Sequence, residues 1–239
     1  MKMQNKKLII LILSSSKQHY EMLENTIRET WFNYRNNEVE IIFYKDDLKR
    51  YVNQSEPLLE NNTLFLPCKD GFNTLGEKTL KAFQWVCENY NFDYIYRSNL
   101  GAYVNVDKMI NFLKDKPNNN FYCGIKGYDN YYVKDGVNFA SGSGYFLSKD
   151  LVELVNNNQN EWKHNIVDDV ALGYIMRNFN IEIDNSAKRM NICDGEVYFD
   201  KGDGNVQYIE QNEIYHVRLR SSNRNKDVNS MIELYKNKY

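Results

Sequence analysis

Basic excess, long apolar runs, paired cysteines and proline are what this sequence lacks. Its 239 residues carry a formal net charge of −2, which leaves no electrostatic footprint for a nucleic acid. No segment approaches the ~20 apolar residues of a membrane-spanning helix. The four cysteines, Cys68, Cys87, Cys123 and Cys193, are too far apart for a zinc clip or a CxxC redox pair. A chain long enough to bury a sizeable core does not need them as two disulfides, so free, mostly buried thiols are expected. With only three prolines and no internal repeat there is no sign of a linker, and a single domain over 1–239 is the simplest organisation. The start, "MKMQNKKLIILILSSS", has the basic beginning and greasy middle of a signal peptide. Its apolar run, 8–13, is shorter than the usual h-region of about 7–15 residues and suits a buried first strand. The chain therefore reads as soluble and cytoplasmic.

What is present is an ordinary globular balance, 42% hydrophobic and 26% charged, arranged in alternating patterns. Strand-like runs occupy 7–13, 39–45, 63–68, 92–97, 121–125, 144–147 and 214–219. Between them, 20–34 places Leu23, Ile27, Thr30, Trp31 and Tyr34 on one helical face, and 77–90 does the same with Leu80, Phe83, Cys87 and Tyr90. Shorter helices are predicted over 106–114 and 149–155, the second capped by Ser148. Others cover 168–179 and 228–236. Strands alternating with helices predict an α/β fold with a mostly parallel central sheet and helices on both faces. The Asn- and Gly-rich stretch 185–204 breaks the rhythm and reads as loop or hairpin.

Three segments carry more chemistry than scaffolding requires. In "NFASGSGYFLS", 138–148, Gly142 and Gly144 flank Ser143 before an apolar run; this is either a tight turn or a place where a ligand approaches the backbone. In "IVDDVALG", 166–173, Asp168 and Asp169 open a helix. One cap suffices, which leaves the second carboxylate for acid–base work. In "YHVRLRSSNR", 215–224, strand alternation puts His216, Arg218 and Arg220 on one face. That row is either a solvated edge or an anion site, since paired arginines grip phosphate through forked, charge-assisted hydrogen bonds.

These pieces occur in an order that resembles the β-1,3-galactosyltransferase and Fringe family of glycosyltransferases, which adopt the GT-A (Rossmann-like) fold. Its first-helix pattern matches "IRETW" at 27–31. A family lysine segment is echoed by "LGEKT" at 75–79, which places Lys78 on the lysine. The glycine element matches Gly142, Gly144, Tyr145 and Ser148, and the family's "EDV…G" matches Asp168, Asp169, Val170 and Gly173. Together these cover roughly 8–180; the tail resembles the last strand of related viral and bacterial transferases more loosely. The resemblance implies transfer of a sugar from a nucleotide-sugar donor to a hydroxyl of a glycan or glycoconjugate, with inversion. Asp169 would deprotonate the acceptor. Ser14 and Ser15 would lie near the nucleotide, Ser143 and Gly144 would line the sugar pocket, and Asp168 would stand on the acceptor side. Trp162 reads as a core or amphipathic-helix position, or, from its closeness to "VDDV" in sequence, as an acceptor-side contact.

The departure from the family lies in "FDYIYRSNLGAYVN", 92–105. Where the family has "K-T-D-D-D-x-F-V-N", this chain has Arg97, Ser98, Asn99, Leu100, Gly101, Ala102, Tyr103, Val104 and Asn105. No carboxylate remains, whereas a divalent ion on a diphosphate relies on at least one. Charge on the departing diphosphate still needs stabilisation. Lys78, Arg97, Asn99, His216, Arg218 and Arg220 are the donor-side candidates for a metal-independent transferase with no required cofactor. Glu24 stands near the position of a family arginine, so nucleotide contacts are expected to differ too. The other readings are a non-catalytic nucleotide-sugar- or glycan-binding module, or another nucleotide-dependent α/β enzyme. The last lacks support, because no P-loop, GxGxxG or Cys/His nucleophile pattern is present.

Overall fold

The computed structural model describes residues 4–34, 36–47, 56–69, 71, 74–201, 210 and 213–239. In chain order the elements are β1 (Gln4–Leu13), α1 (Gln18–Glu29), β2 (Val39–Asp46), β3 (Leu58–Glu60), β4 (Thr63–Leu66), α2 (Leu75–Asn89), β5 (Tyr90–Asn99), β6 (Ala102–Val104), α3 (Val106–Phe112), β7 (Tyr122–Asp129), β8 (Val137–Ser148), α4 (Lys149–Asn157), α5 (Asp168–Asn178), β9 (Lys188–Cys193), β10 (Glu196–Lys201), β11 (His216–Leu219) and α6 (Arg224–Lys236).

A seven-stranded sheet runs in the order β3-β4-β2-β1-β5-β8-β7. Its middle, β4-β2-β1-β5, is parallel. The outer pairings, β3 with β4, β5 with β8 and β8 with β7, are antiparallel. The mostly parallel pattern thus holds at the centre, and hairpin-type pairing takes over towards both edges. Leu8 to Ile12 on β1 are fully buried, as a strand with parallel neighbours on both sides and helices on both faces requires. Leu8, Ile10 and Ile12 face one core with Leu23, Ile27, Met231 and Leu234 of α1 and α6. Ile9 and Leu11 face the other, with Leu80, Leu151, Val170 and Ile175 of α2, α4 and α5. The period-2 alternation of one strand therefore feeds both layers.

A second sheet, β10-β9-β11-β6, was not legible as such. Its hairpin β9–β10 turns at Asp194 and Gly195, both at positive φ; Gly195 supplies that conformation without strain. The stretch 185–204 is therefore a hairpin over its described part, while 202–204 lie outside the described residues. Chain segment 98–105 is where the backbone leaves the first sheet and enters the second, turning at Leu100 and Gly101.

Several local expectations are revised. Gly142 to Gly144 lie inside β8 rather than in a turn before it. Ser148 sits at the N-cap of α4, but its hydroxyl donates to Asp150 (2.5 Å) and accepts from the Phe121 N–H. Val167, not Asp168, is the N-cap of α5, which releases both carboxylates for other contacts. The four cysteines are free thiols, with Cys68 and Cys123 buried.

Candidate functional site

The turn at Asn99–Gly101, where the resemblance predicts acids, is stitched to the last strand. The Leu219 N–H donates to the Gly101 carbonyl (2.7 Å), and Arg218 pairs in register with Ala102. Leu100 packs into the core and brings an apolar edge, with no metal-binding oxygen, to the cavity wall. Asn99 closes the turn by accepting the Gly101 N–H on Oδ1 (2.9 Å). β11 therefore delivers its arginines directly beside the turn.

Asn99, Gly101, Arg218 and Arg220 share a cavity of about 460 Å³ with Ser14, Ser15, Lys17, Lys78 and Arg224. Among the described residues the charged side chains lining it are Lys17, Lys78, Arg218, Arg220 and Arg224, with no carboxylate. It lies beyond the C-terminal ends of the parallel strands β1 and β5, the ligand-binding edge of an open α/β sheet. Three helices begin there: Lys17 is the N-cap of α1, and Leu75 and Arg224 are the first residues of α2 and α6. Neither α1 nor α2 has a side-chain cap, so their first N–H groups and positive dipole ends add to the cationic lining. Lys78 is buried and pairs with Asp46 (3.5 Å); Arg224 pairs with Asp227 (2.7 Å). Arg218 and Arg220 have no side-chain hydrogen bond or ion pair among the described residues. Burial, with the charges of Arg189 and Arg220, pushes the pKa of half-buried Arg218 down. A neutral Asn, an inward Leu and a Gly among cations do not fit a divalent ion. Among the described residues no group of three or more His, Cys, Asp or Glu could hold one.

The expected cationic row is shorter than alternation suggested. His216 is buried, with Nδ1 hydrogen-bonded to the Tyr96 hydroxyl (2.9 Å). Burial, then the charges of Arg189 and Arg218, push its pKa well below the ordinary value, so it is a neutral core residue outside the cavity. Ser14 lines the cavity but donates to Glu24 (2.7 Å). Burial raises the Glu24 pKa, yet hydrogen bonds from Ser14 and Arg28 and the charge of Lys45 outweigh it and hold the carboxyl below its ordinary value. Glu24 is thus occupied with its own partners.

The second cluster surrounds the start of α5. Partly buried Asp169 accepts the Gly142 N–H on Oδ2 (2.7 Å) and the Val170 N–H on Oδ1 (3.0 Å). Burial and the neighbouring Asp168 raise its pKa. Asp168 is buried and accepts from Thr79 (3.0 Å) and from Arg97. Arg97, expected on the donor side, lies beneath the site and does not line the cavity. Its Nε donates to the Tyr44 hydroxyl (3.1 Å) and its Nη1 to the Gly142 carbonyl. The two clusters meet at that carbonyl, which also lies 3.4 Å from Asn99 Nδ2. Asp168→Ala would leave Arg97 buried without its counter-charge, a change expected to cost about 3–5 kcal/mol in a urea denaturation series.

Ser143 is buried, bonded to Arg189 and Ser141. Gly144 packs so closely that a Cβ there would overlap the Tyr96 hydroxyl and meet His216 Nδ1 at 2.8 Å. Gly144→Ala is therefore expected to destabilise the fold by about 1–3 kcal/mol, read as a lowered thermal midpoint. Trp162 does not face an acceptor: it is buried against Gly76, where its indole would block any Cβ. Sequence reasoning missed Arg189, whose guanidinium joins Ser141 and Ser143 to Asp200 (2.6 Å), and Arg224. The first sits in a polar hairpin without periodic signal; the second opens a helix predicted to begin later.

Residues 125–187 match the galactosyltransferase family. That segment holds both Gly142–Gly144 and the Asp168–Asp169 pair. The chain is similar to the β-1,3-galactosyltransferases. It is 26% identical over 148 residues to UDP-GalNAc:beta-1,3-N-acetylgalactosaminyltransferase 1 of Sus scrofa, covering 54% of this chain and 45% of that protein. It is 22% identical over 201 residues to beta-1,3-galactosyltransferase 1 of Mus musculus, covering 72% and 61%. The chain thus spans about half the length of these curated relatives. The same fold occurs in the crystal structure of a glycosyltransferase involved in the glycosylation of the major capsid of PBCV-1, with a TM-score of 0.52 at 14% identity over 95% of this chain and 99% of that one. No helix among the described residues is long and apolar enough to cross a membrane.

Proposed function

We propose that the protein transfers a sugar from a nucleotide-sugar donor to a hydroxyl of a glycan or glycoconjugate, with inversion and without a metal ion. The carrying observation is a cavity whose charged lining among the described residues is all cationic, with Arg218 and Arg220 unpaired among those residues, at the turn where the resemblance predicts acids. The donor diphosphate sits in this cavity, its nucleotide towards Ser14 and Ser15; buried Ser143 and tightly packed Gly144 support the site from behind and do not line it. Asp169 takes the proton of the acceptor hydroxyl as the oxygen forms its bond to the anomeric carbon. The bond from that carbon to the diphosphate oxygen breaks on the opposite face, and its electron pair leaves on the nucleoside diphosphate. Arg218 and Arg220 stabilise that charge, with Lys78 and the helix N-termini adding to the field. No cofactor is required.

A base must be deprotonated to act, and burial beside Asp168 makes Asp169 hold its proton more strongly than an ordinary aspartate. The kcat profile is therefore expected to fall on acidification through a pKa above the usual ~3.9. A limb at or below that value would remove Asp169 from the role.

The direct test is a panel of nucleotide sugars read by nucleotide release, alongside thermal shift. Release with at least one donor is expected. Stabilisation by nucleotide sugars without any release would support the binding-module reading instead, which the loss of the acids also fits.

A further inference from the structure

We propose that Arg97 is a positioning residue for Asp169, acting through the Gly142 peptide; this rests on the reading of Asp169 as the base. One residue, Gly142, carries both links. Its N–H is donated to Asp169 Oδ2 at 2.7 Å, and its carbonyl accepts from Arg97 Nη1. The same guanidinium holds Asp168, the residue before Asp169, through Nη2. Arg97 therefore fixes both the peptide that orients the base and the backbone that carries it. The Tyr44 hydroxyl fixes Arg97 in turn by accepting from Nε at 3.1 Å, and Tyr44 also contacts Thr79 at 3.2 Å, itself a donor to Asp168. There is no slack: a Cβ at Gly142 would lie 2.9 Å from Arg97 Nη1 and 2.9 Å from Asp169 Oδ2. Arg97 is only 2% exposed, so it reaches the chemistry through these contacts and not through the substrate.

Lysine would keep the charge opposite Asp168, but its three donors sit on one nitrogen and cannot span the separate positions of Gly142 and Tyr44 that the guanidinium fork reaches. Arg97→Lys thus separates geometry from charge. Two readouts apply: steady-state kinetics with the donor found in the nucleotide-release panel, and the titration of the Asp169 carboxyl carbon by NMR, which needs no turnover. The groups facing Asp169 are Asp168, Arg97 and Tyr122, with Tyr44 and Tyr145 behind them; only position 97 changes. The expected result is a kcat lower by about 10–10²-fold, the scale of a small misplacement of a reacting group, with donor KM changed little. The Asp169 titration should move upward, because a loosened Gly142 N–H no longer favours the ionised form. Unchanged kcat and titration, or a raised donor KM with kcat intact, would overturn the proposal, the latter returning Arg97 to donor contact. If Arg97→Lys does not fold, Tyr44→Phe tests the same brace, with changes in the same directions but smaller; no change would overturn it. Full activity in Asp169→Asn would instead remove the base reading, and the titration of Asp169 in Arg97→Lys would still report on the positioning.

Discussion

Asp169→Asn is expected to lower kcat by about 10²–10⁴-fold, the usual contribution of general base catalysis, while leaving the fold intact. Asparagine keeps the shape and a carbonyl oxygen to accept the Gly142 N–H at 2.7 Å. It cannot take a proton from a hydroxyl at neutral pH. Removing one carboxylate from the adjacent pair also relieves the repulsion with Asp168 that helps raise the Asp169 pKa. The thermal midpoint should therefore hold or rise as activity falls. A variant that turns over normally would show that the proton goes elsewhere.

The second large effect concerns the arginines. Arg218→Ala with Arg220→Ala should weaken donor binding by roughly 10–10²-fold per side chain, the value of a hydrogen bond to a charged group at about 1.5–3 kcal/mol. The two are close enough to influence each other, so the double variant need not equal the sum. The effect on stability should have the opposite sign. Arg218 is half-buried, unpaired among the described residues, and near Arg189 and Arg220. Its removal relieves repulsion that the free protein tolerates at the site. Weaker nucleotide binding together with an unchanged or raised thermal midpoint is the expected signature, measured by calorimetry and thermal unfolding. Donor KM in the parent protein should also rise with salt, and less so in the double variant. Unaltered donor affinity in the double variant would place the diphosphate outside this cavity.

The layers of the fold were legible because burial writes itself into sequence. Leu8 to Ile12 are apolar on both faces, and the helices behind them carry matching stripes. The second sheet was not legible, because β6 has only three residues and β9–β10 is largely polar, with pairing rather than periodicity defining both. In the site, alternation correctly indicated that β11 presents basic residues, and Arg218 and Arg220 do reach the Asn99 turn. Alternation gives a face and not a depth, however, so it could not separate buried His216 from half-buried Arg218. Arg97 was placed among the donor-side candidates. Its occupation depends on Asp168 and Gly142, 71 and 45 residues away, and no local pattern encodes such partners. Trp162 was placed near the acceptor by its closeness to Asp168 in sequence, but packing against Gly76 turns it inward.

The most direct measurement is nucleotide release from a turned-over donor, in excess EDTA and with added Mn²⁺. A cavity whose charged lining among the described residues is five cationic side chains and no carboxylate is expected to give the same turnover in EDTA, with no stimulation by Mn²⁺. Activity abolished by EDTA and restored by Mn²⁺ would contradict the assignment of leaving-group stabilisation to Arg218 and Arg220.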